Sequence, residues 1–397
     1  MKTAIYTLTS ELHDEQAVNA VTTQFLSTIG ISYDLKGSDF SDFGTHALDL
    51  IYVRTGGTEG IFRRLLPTLR KRTHRQPFRL LTSGKSNSLA ASLEILSYLR
   101  QQGIQGEVIH GSEAYVCQRL QLLERVGEAR RQLVGCRLGV IGEPSDWLIS
   151  SHANRHTVLG RCGIELIDIS MQELQATIDA TPLTTPDLTS NDARIAEALP
   201  GAYRIYLALH TIISRHRLQG FTLRCFDLLT SVHNTGCLAL AKLNSEGFVA
   251  GCEGDVPAML TMMIARSLTG LSGFQANPAS IDPEAGELLM AHCTIPFNML
   301  DRYELDTHYE SGIGVGIRGF MKEGPVTIFK VSGDMQRCFI AEGTLLYNQS
   351  EPDLCRTQQV IRLDDKSLVR YFLTDPIGNH HIVLPGRHGQ LLQEIMK

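Results

Sequence analysis

Three features that would take a protein out of the ordinary globular class are missing from this sequence. The formal net charge of −5 leaves no surplus of basic residues to hold a polyphosphate, so nucleic acid is not an expected partner. No apolar run approaches the roughly 18 residues that span a bilayer, so no membrane association is expected. The opening residues, MKTAIYTLTSELHDEQ, lack the apolar core of a signal peptide and are typical of a first strand.

A disulfide framework is missing as well. Nine cysteines are spread from Cys117 to Cys355, an odd number that includes no CxxC pair. This usage suits reduced thiols, so we expect a cytoplasmic protein whose cysteines are mostly small core residues. The hydrophobic fraction of 43% and the charged fraction of 20% are ordinary for a globular protein.

The 397 residues exceed what one hydrophobic core normally supports, so several domains are expected. Short β-rich runs alternate with helical ones over residues 1–133, which predicts an N-terminal α/β domain with a parallel sheet. A second α/β domain is predicted over 134–285. From 286 to 397, β runs separated by Gly or Asp turns predict an antiparallel β domain, a barrel or a sandwich.

Two loops after predicted strands suggest ligand binding only weakly. The stretch TSGKSNSLAAS contains Gly84, Lys85 and Ser86, the end of a Walker A motif, but Arg79 stands where that motif needs its first glycine. The stretch RTGGTEG at 54–60 is a plain turn or a ligand-binding loop with equal support.

The only tryptophan, Trp147, lies in IGEPSDWLIS after a predicted strand. A tryptophan at a strand end can stack on the apolar face of a sugar, and it can equally fill a domain interface. Both interpretations stay open from the sequence.

The stretch GCEGDVPAMLTMMIARSLTG places Glu253 and Asp255 at the start of a helix that has Pro257 in its first turn and Gly270 at its end. Asp255 suits an N-cap position, but no capping rule requires a second acid at 253. Because residues two apart in a strand face the same side, the two carboxylates are also a candidate functional pair.

Further polar residues follow other strand-like runs. They are Asp227 in CFDLL, His292 in LLMAHCTIP, and His380 and His381 in GNHHIVLPG. Each histidine alone has a structural explanation. Together, carboxylates and imidazoles at strand ends are the ligands of a borderline divalent metal such as Mn²⁺.

These motifs, in the order GEPSDWLIS, CFDLL, CEGDVPAMLTM, HCTIP, THYESGIGVGIRG, CRTQ and GNHHIVLPG, resemble the L-fucose isomerase and L-arabinose isomerase family over almost the whole chain. The resemblance implies two Rossmann-like α/β domains followed by a C-terminal β-barrel-like domain. It also implies a homo-oligomer, a trimer or a hexamer, with active sites between domains and often between subunits.

The resemblance assigns roles to individual residues. Glu253 and Asp255 match metal-binding acids of the two branches of the family, and His292 and His381 match histidines of arabinose isomerases. Asp227 aligns less closely with an upstream carboxylate. Where arabinose isomerases carry another metal-binding Glu, this chain has FQANP, with Asn277 nearest.

The leading hypothesis is a metal-dependent aldose–ketose isomerase that acts on a small sugar, such as a pentose or a 6-deoxyhexose, through an ene-diol. The expected metal ligands are Glu253, Asp255, His292 and His381. Expected catalytic groups are Glu253, Asp227 and His292, and the expected substrate-binding residues are Trp147, His380 and Asn277. A non-catalytic sugar-binding or regulatory protein on the same scaffold is the alternative, because Asn277 replaces a Glu.

Overall fold

The computed structural model describes residues 2–72 and 76–397, and it contains two parallel α/β sheets and a closed antiparallel β-barrel. The predicted fold class is therefore confirmed. The chain forms two compact units: unit 1 is Met1–Arg131 with Glu394–Lys397, and unit 2 is Gln132–Gln393. In the part of the chain that the structure describes, no helix is both long and apolar enough to cross a membrane. The domain limits at 133 and 285 stay a prediction.

Unit 1 holds a parallel five-stranded sheet in the order β2-β1-β3-β4-β5. Its elements are β1 Thr3–Leu8, α1 Glu15–Leu26, β2 Asp34–Gly37, β3 Leu48–Val53, α2 Glu59–Arg72, β4 Phe78–Leu81, α3 Ser88–Gln101, β5 Gly106–Ile109 and α4 Glu113–Leu133. Apolar residues on the sheet pack on both sides into separate cores, one containing Tyr6 and Phe62 and the other Leu50 and Leu120. Burial on both faces explains why these strands are continuous apolar runs in the sequence.

The two weak loop motifs lie beside each other in unit 1. The backbone N–H of Gly56 donates to the carbonyl of Ser86 at 2.8 Å. Ser86 and Asn87 have φ values of +51° and +58°, and helix α3 begins only at Ser88. Lys85 is exposed at this turn.

Unit 1 also contains a buried ion-pair network at the carboxyl terminus. The Glu394 side chain, 2% exposed, accepts hydrogen bonds from Arg79 and Arg119, and the Arg119 Nη2 to Glu394 Oε2 distance is 2.6 Å. Lys397 Nζ lies 2.9 Å from the same oxygen. These charges satisfy one another inside the unit.

The first part of unit 2 is a parallel sheet in the order β7-β6-β8-β9. Its elements are β6 Arg137–Ile141, α5 Arg155–Cys162, β7 Glu165–Ile169, α6 Met171–Ala180, α7 Ala193–His216, β8 Gly220–Leu223, α8 Asp227–Ser231, α9 Cys237–Ser245, β9 Val249–Gly251 and α10 Val256–Thr269. Helix α10 is buried along most of its length and ends at Gly270, whose φ is +81°. The helix predicted after Asp255 is present, with Pro257 in its first turn.

The rest of unit 2 is a barrel in which the strands follow the closed order β10-β11-β16-β15-β14-β17. Its elements, with the separate β12-β13 ribbon, are β10 Phe274–Asp282, β11 Glu287–His292, β12 Arg302–Asp306, β13 Gly316–Phe320, β14 Gly324–Val331, β15 Cys338–Gln349, β16 Thr357–Leu363, α11 Arg370–Thr374 and β17 His381–Pro385. Helix α12, Gly389–Ile395, follows β17, and its last two residues belong to unit 1. Phe274, Met290, Ile328 and Val383 are among the residues of its apolar core. The candidate site includes His292, the last residue of β11, and His380, which directly precedes β17.

Candidate active site

The turn between β9 and α10 carries both acidic residues identified in the sequence. Glu253 and Gly254 adopt left-handed backbone conformations, with φ values of +61° and +69°. A Cβ at position 254 would lie 2.5 Å from the carbonyl oxygen of Glu143, so glycine is required there. For Glu253 the same conformation costs roughly 1–2 kcal/mol. The backbone N–H of Ser145 donates to the Glu253 carbonyl at 2.9 Å and helps to hold the turn.

Glu253 meets two histidines in a buried cluster. Its Oε1 lies 3.7 Å from Nε2 of His292, at the end of β11, and 3.5 Å from Nε2 of His380, just before β17. One ligand atom from each of the three residues lies within 4.8 Å of the others, and all three residues are buried. The Trp147 indole N–H donates to the other carboxylate oxygen, Oε2, at 2.7 Å. Oε1 is therefore the oxygen that faces the imidazoles.

Both imidazoles are held through their Nδ1 atoms. His380 Nδ1 lies 2.9 Å from Asp255 Oδ2, and His292 Nδ1 lies 3.1 Å from Thr294 Oγ1. His380 Nε2 is buried and has no hydrogen-bond partner. A metal-binding histidine is typically oriented in this way, with one nitrogen on an outer carboxylate and the other free for the ion. One carboxylate oxygen and two imidazole nitrogens form a donor set that fits a divalent transition metal.

Asp255 has two functions. Helix capping was one that the sequence left open as an alternative to metal binding, and the orientation of His380 was not predicted. Its Oδ1 accepts the backbone N–H of Ala258 at 2.8 Å, which is the N-cap of α10. Its Oδ2 faces His380 and, at 3.6 Å, the Lys330 ammonium. Lys330 in β14 is only 1% exposed, and its Nζ forms no hydrogen bond. Asp255 is therefore a helix cap that also orients His380. Burial lowers the pKa of the neighbouring Lys330, and the charge of Asp255 opposes this effect.

The charges of the cluster follow from burial and from these partners. Burial opposes ionisation of Glu253, but the neighbouring His380 and His292 outweigh it and hold the pKa of Glu253 well below its usual range. Burial also opposes charge on His380, yet Glu253 and Asp255 raise its pKa to about 9. The pKa of His292 is lowered, mainly by burial. The pKa of Asp255 falls to about 2 against the effect of burial, because of Lys330 and His380. When no ion is bound, His380 carries the proton that compensates the negative charge of its acidic neighbours.

An open cleft adjoins the cluster. Glu253, His292, Asn277, His308 and Glu310 are among its lining residues. The Asn277 side-chain oxygen is buried without a partner, which leaves an acceptor beside the cleft. Burial and the charge of Glu253 raise the pKa of Glu310, and burial lowers the pKa of His308 to about 4.

Comparison with known proteins gives two distant relatives. Over 227 residues the chain is 24% identical to a sulfoquinovose isomerase of Clostridium sp. (strain MSTE9), covering 55% of this chain and 49% of that protein. Over 265 residues it is 24% identical to a sulfoquinovose isomerase of Alkalicoccus urumqiensis, covering 62% of this chain and 59% of that protein. The chain is similar to sugar isomerases. No family model matches it.

The chain thus spans about half to three-fifths of the length of the curated relatives it matches. Their names agree with the predicted class of sugar isomerase and differ from the predicted fucose and arabinose isomerase branch. That finer assignment, and the identity of the sugar, stay predictions.

Two of the predicted site residues lie away from the cluster. The side chain of Asp227 is 43% exposed at the start of α8, where its Oδ1 accepts from Arg224 Nε at 3.1 Å. His381 uses both ring nitrogens, with Nε2 3.0 Å from the Tyr371 hydroxyl and Nδ1 2.9 Å from the Asn379 carbonyl. A catalytic role for Asp227 and metal binding by His381 therefore stay predictions that this geometry does not support.

The cluster instead contains His380, which the sequence analysis assigned to the substrate. Trp147 lies beside it, and its ring contacts Phe226 edge-on at 4.8 Å between centroids. Trp147 is 53% exposed, so one part of the ring stays available to a ligand. Sequence reasoning missed Lys330 and Glu310. The only sequence feature that could have indicated Lys330 is the presence of a lysine inside the apolar run of β14.

Proposed function

We propose that the protein is a metal-dependent aldose–ketose isomerase that acts on a small sugar. The observation that carries the proposal is the buried cluster of Glu253, His292 and His380, in which His380 Nε2 has no hydrogen-bond partner and faces a carboxylate oxygen. The names of the two relatives support the same reaction class. Candidate substrates are pentoses, 6-deoxyhexoses and the sulfoquinovose of the relatives' names.

The cation would be held by Glu253, His292 and His380, with Mn²⁺ the expected ion. When bound, it supplies a Lewis acid that polarises the oxygens on C1 and C2 of the sugar. Asp255 keeps the Nδ1 proton on His380, so that Nε2 presents its lone pair to the site. The Trp147 N–H fixes the second oxygen of Glu253 and prevents the carboxylate from rotating.

The proton that moves between C2 and C1 needs an acceptor that is not committed to the cation. We place Glu310 in this role, because it lines the cleft and its pKa is raised by burial and by Glu253. A base whose pKa is shifted toward neutrality both accepts and returns a proton efficiently. The free oxygen of Asn277 would accept a hydroxyl of the sugar, and the exposed part of the Trp147 ring would pack on its apolar face.

Two substitutions separate the cation-binding role from the base. Glu253→Gln keeps an oxygen for the Trp147 N–H but removes the negative charge. We expect metal affinity to fall at least about a hundredfold, because replacing even a residue that only supports a metal ligand lowers the affinity 10–100-fold. Glu310→Gln should keep metal affinity and lose proton transfer. Isothermal titration with Mn²⁺ measures the first effect. NMR of deuterium uptake at C1 or C2 of L-fucose, L-arabinose and sulfoquinovose measures the second.

Glu323→Gln, an exposed change in the loop before β14, is the matched control and should leave both readouts as in the wild type. If the wild type binds no divalent metal and exchanges no sugar proton, the proposal is wrong. Sugar-dependent stabilisation without exchange would then favour the sugar-binding alternative.

A further inference from the structure

Two cysteines meet at the wall of the cleft. Cys225 follows β8 and Cys252 follows β9, two neighbouring parallel strands with Thr222 paired to Gly251. Their sulfur atoms are 3.1 Å apart. Both side chains are largely buried but line the same cleft as Glu253, so a small solute that enters the cleft reaches them.

The distance distinguishes this pair from ordinary core cysteines. A disulfide bond is about 2.05 Å long, so the two sulfurs need to approach by only about 1 Å. Cys225 lies two residues after the end of β8 and Cys252 directly follows β9. A bond between their sulfur atoms would therefore form in the turns after the strands, outside the printed pairing of Thr222 with Gly251.

Cys252 is also directly coupled to the candidate metal site. It precedes Glu253 in the chain, and its backbone is fixed on both sides by Gln275: the Cys252 N–H donates to Oε1 at 2.9 Å, and Nε2 donates to the Cys252 carbonyl at 3.3 Å. Glu253 already has a left-handed φ of +61°. A movement of Cys252 toward Cys225 is therefore transmitted to a residue whose backbone conformation has little freedom.

We propose that Cys225 and Cys252 form a reversible disulfide when a hydroperoxide enters the cleft, and that this bond weakens metal binding at Glu253. The second half rests on the proposed function. In the first step one thiol attacks a peroxide oxygen, forms a sulfenic acid and releases water. The second sulfur then displaces the hydroxyl as water and the S–S bond forms. Two thiols lose two protons and two electrons, and one H₂O₂ becomes two waters.

The test uses the full-length, metal-free protein and stepwise additions of hydrogen peroxide, followed by alkylation of the remaining thiols and peptide mapping. We expect a Cys225–Cys252 cross-linked peptide, about 2 Da lighter than the two thiol peptides together and absent after treatment with dithiothreitol. Titration of the oxidised protein with Mn²⁺ should give a dissociation constant raised about tenfold or more, and dithiothreitol should restore the value of the reduced protein.

Cys225→Ser and Cys225→Ala should both lose the cross-link and the peroxide sensitivity of metal binding. Cys338→Ser, at an exposed position, should behave like the wild type. Circular dichroism establishes that each variant is folded. Two different replacements at position 225 are used so that the test still holds if one of them misfolds.

Several results would overturn the inference. Higher oxides of Cys225 or Cys252 without a cross-link would do so, as would a cross-link only between other thiols of the cleft. A cross-link that leaves Mn²⁺ affinity unchanged would refute the coupling to Glu253. Failure of the reduced wild type to bind Mn²⁺ would instead refute the proposed function, because the peptide map tests the disulfide independently.

Discussion

The double use of Asp255 leads to the sharpest prediction. Asp255→Asn is nearly neutral at an ordinary N-cap, because Asn and Asp cap helices about equally well. Here Oδ1 accepts from Ala258 N while Oδ2 faces two cationic groups, His380 at 2.9 Å and Lys330 at 3.6 Å. An amide has one oxygen. Whichever way it turns, its NH₂ group faces a donor, either the helix N–H or the His380 and Lys330 pair.

If the amide keeps the cap, its NH₂ faces Nδ1 of His380 and favours the tautomer with the proton on Nε2. That proton occupies the position at which we expect the cation. Loss of an outer carboxylate of this kind typically lowers metal affinity 10–100-fold, or about 1.4–2.7 kcal/mol. Asp255 is fully buried, so the unpaired Lys330 should also reduce stability by about 3–5 kcal/mol.

Isothermal titration with Mn²⁺ and urea unfolding of the metal-free protein measure the two effects. Asp14→Asn is the matched control: Asp14 caps α1 through the N–H of Ala17 at 2.9 Å, but it is exposed, so its replacement should change stability by less than about 0.5 kcal/mol. If Asp255→Asn matches this control in stability and binds Mn²⁺ like the wild type, Asp255 is a cap only.

Two further predictions concern buried charges. Lys330→Met should lower the free energy of unfolding of the metal-free protein. The double change with Asp255→Asn should lower it by less than the sum of the two single changes, by about 1 kcal/mol or more in a double-mutant cycle from urea unfolding. Strict additivity would show that the two side chains do not interact. Glu394→Gln should cost about 3 kcal/mol at pH 7, because Arg79 and its neighbours outweigh burial and lower the pKa of Glu394 from 4.5 to about 2. That contribution to stability is complete above the pKa of the unfolded state and is lost as the pH falls through about 2. The difference in urea stability between wild type and Glu394→Gln should therefore close below pH 4. A difference that is the same at pH 3 and pH 7 would contradict this prediction.

The fold class was predictable because strand and helix periods are local properties of the sequence. The alternation of β-rich and helical runs predicted an α/β domain with a parallel sheet, and Pro257 and Gly270 marked the limits of α10. The closing of the barrel was not predictable in detail, because it depends on pairings such as β10 with β17, which are distant in the chain.

The site was predicted only in part, and His380 and His381 show why. Adjacent residues at the start of a strand point to opposite sides, so a shift of one residue in register exchanges their environments. The pairing of Ala276 with His381 fixes that register, and a single sequence does not contain it. Asp227 illustrates a second limit: its neighbour Arg224, three residues away, binds it at the surface. Proximity of Cys225 to Cys252 likewise depends on the parallel pairing of β8 with β9.

The left-handed backbone of Glu253 bears on how this protein can change by mutation. At φ = +61° glycine is the residue that the backbone itself favours, so a Glu253→Gly substitution relieves local strain while it deletes the carboxylate of the cluster. Selection for stability alone therefore drives this position away from glutamate. A lineage that keeps the acid in this conformation does so against its own folding free energy, a conflict between stability and activity concentrated in one residue.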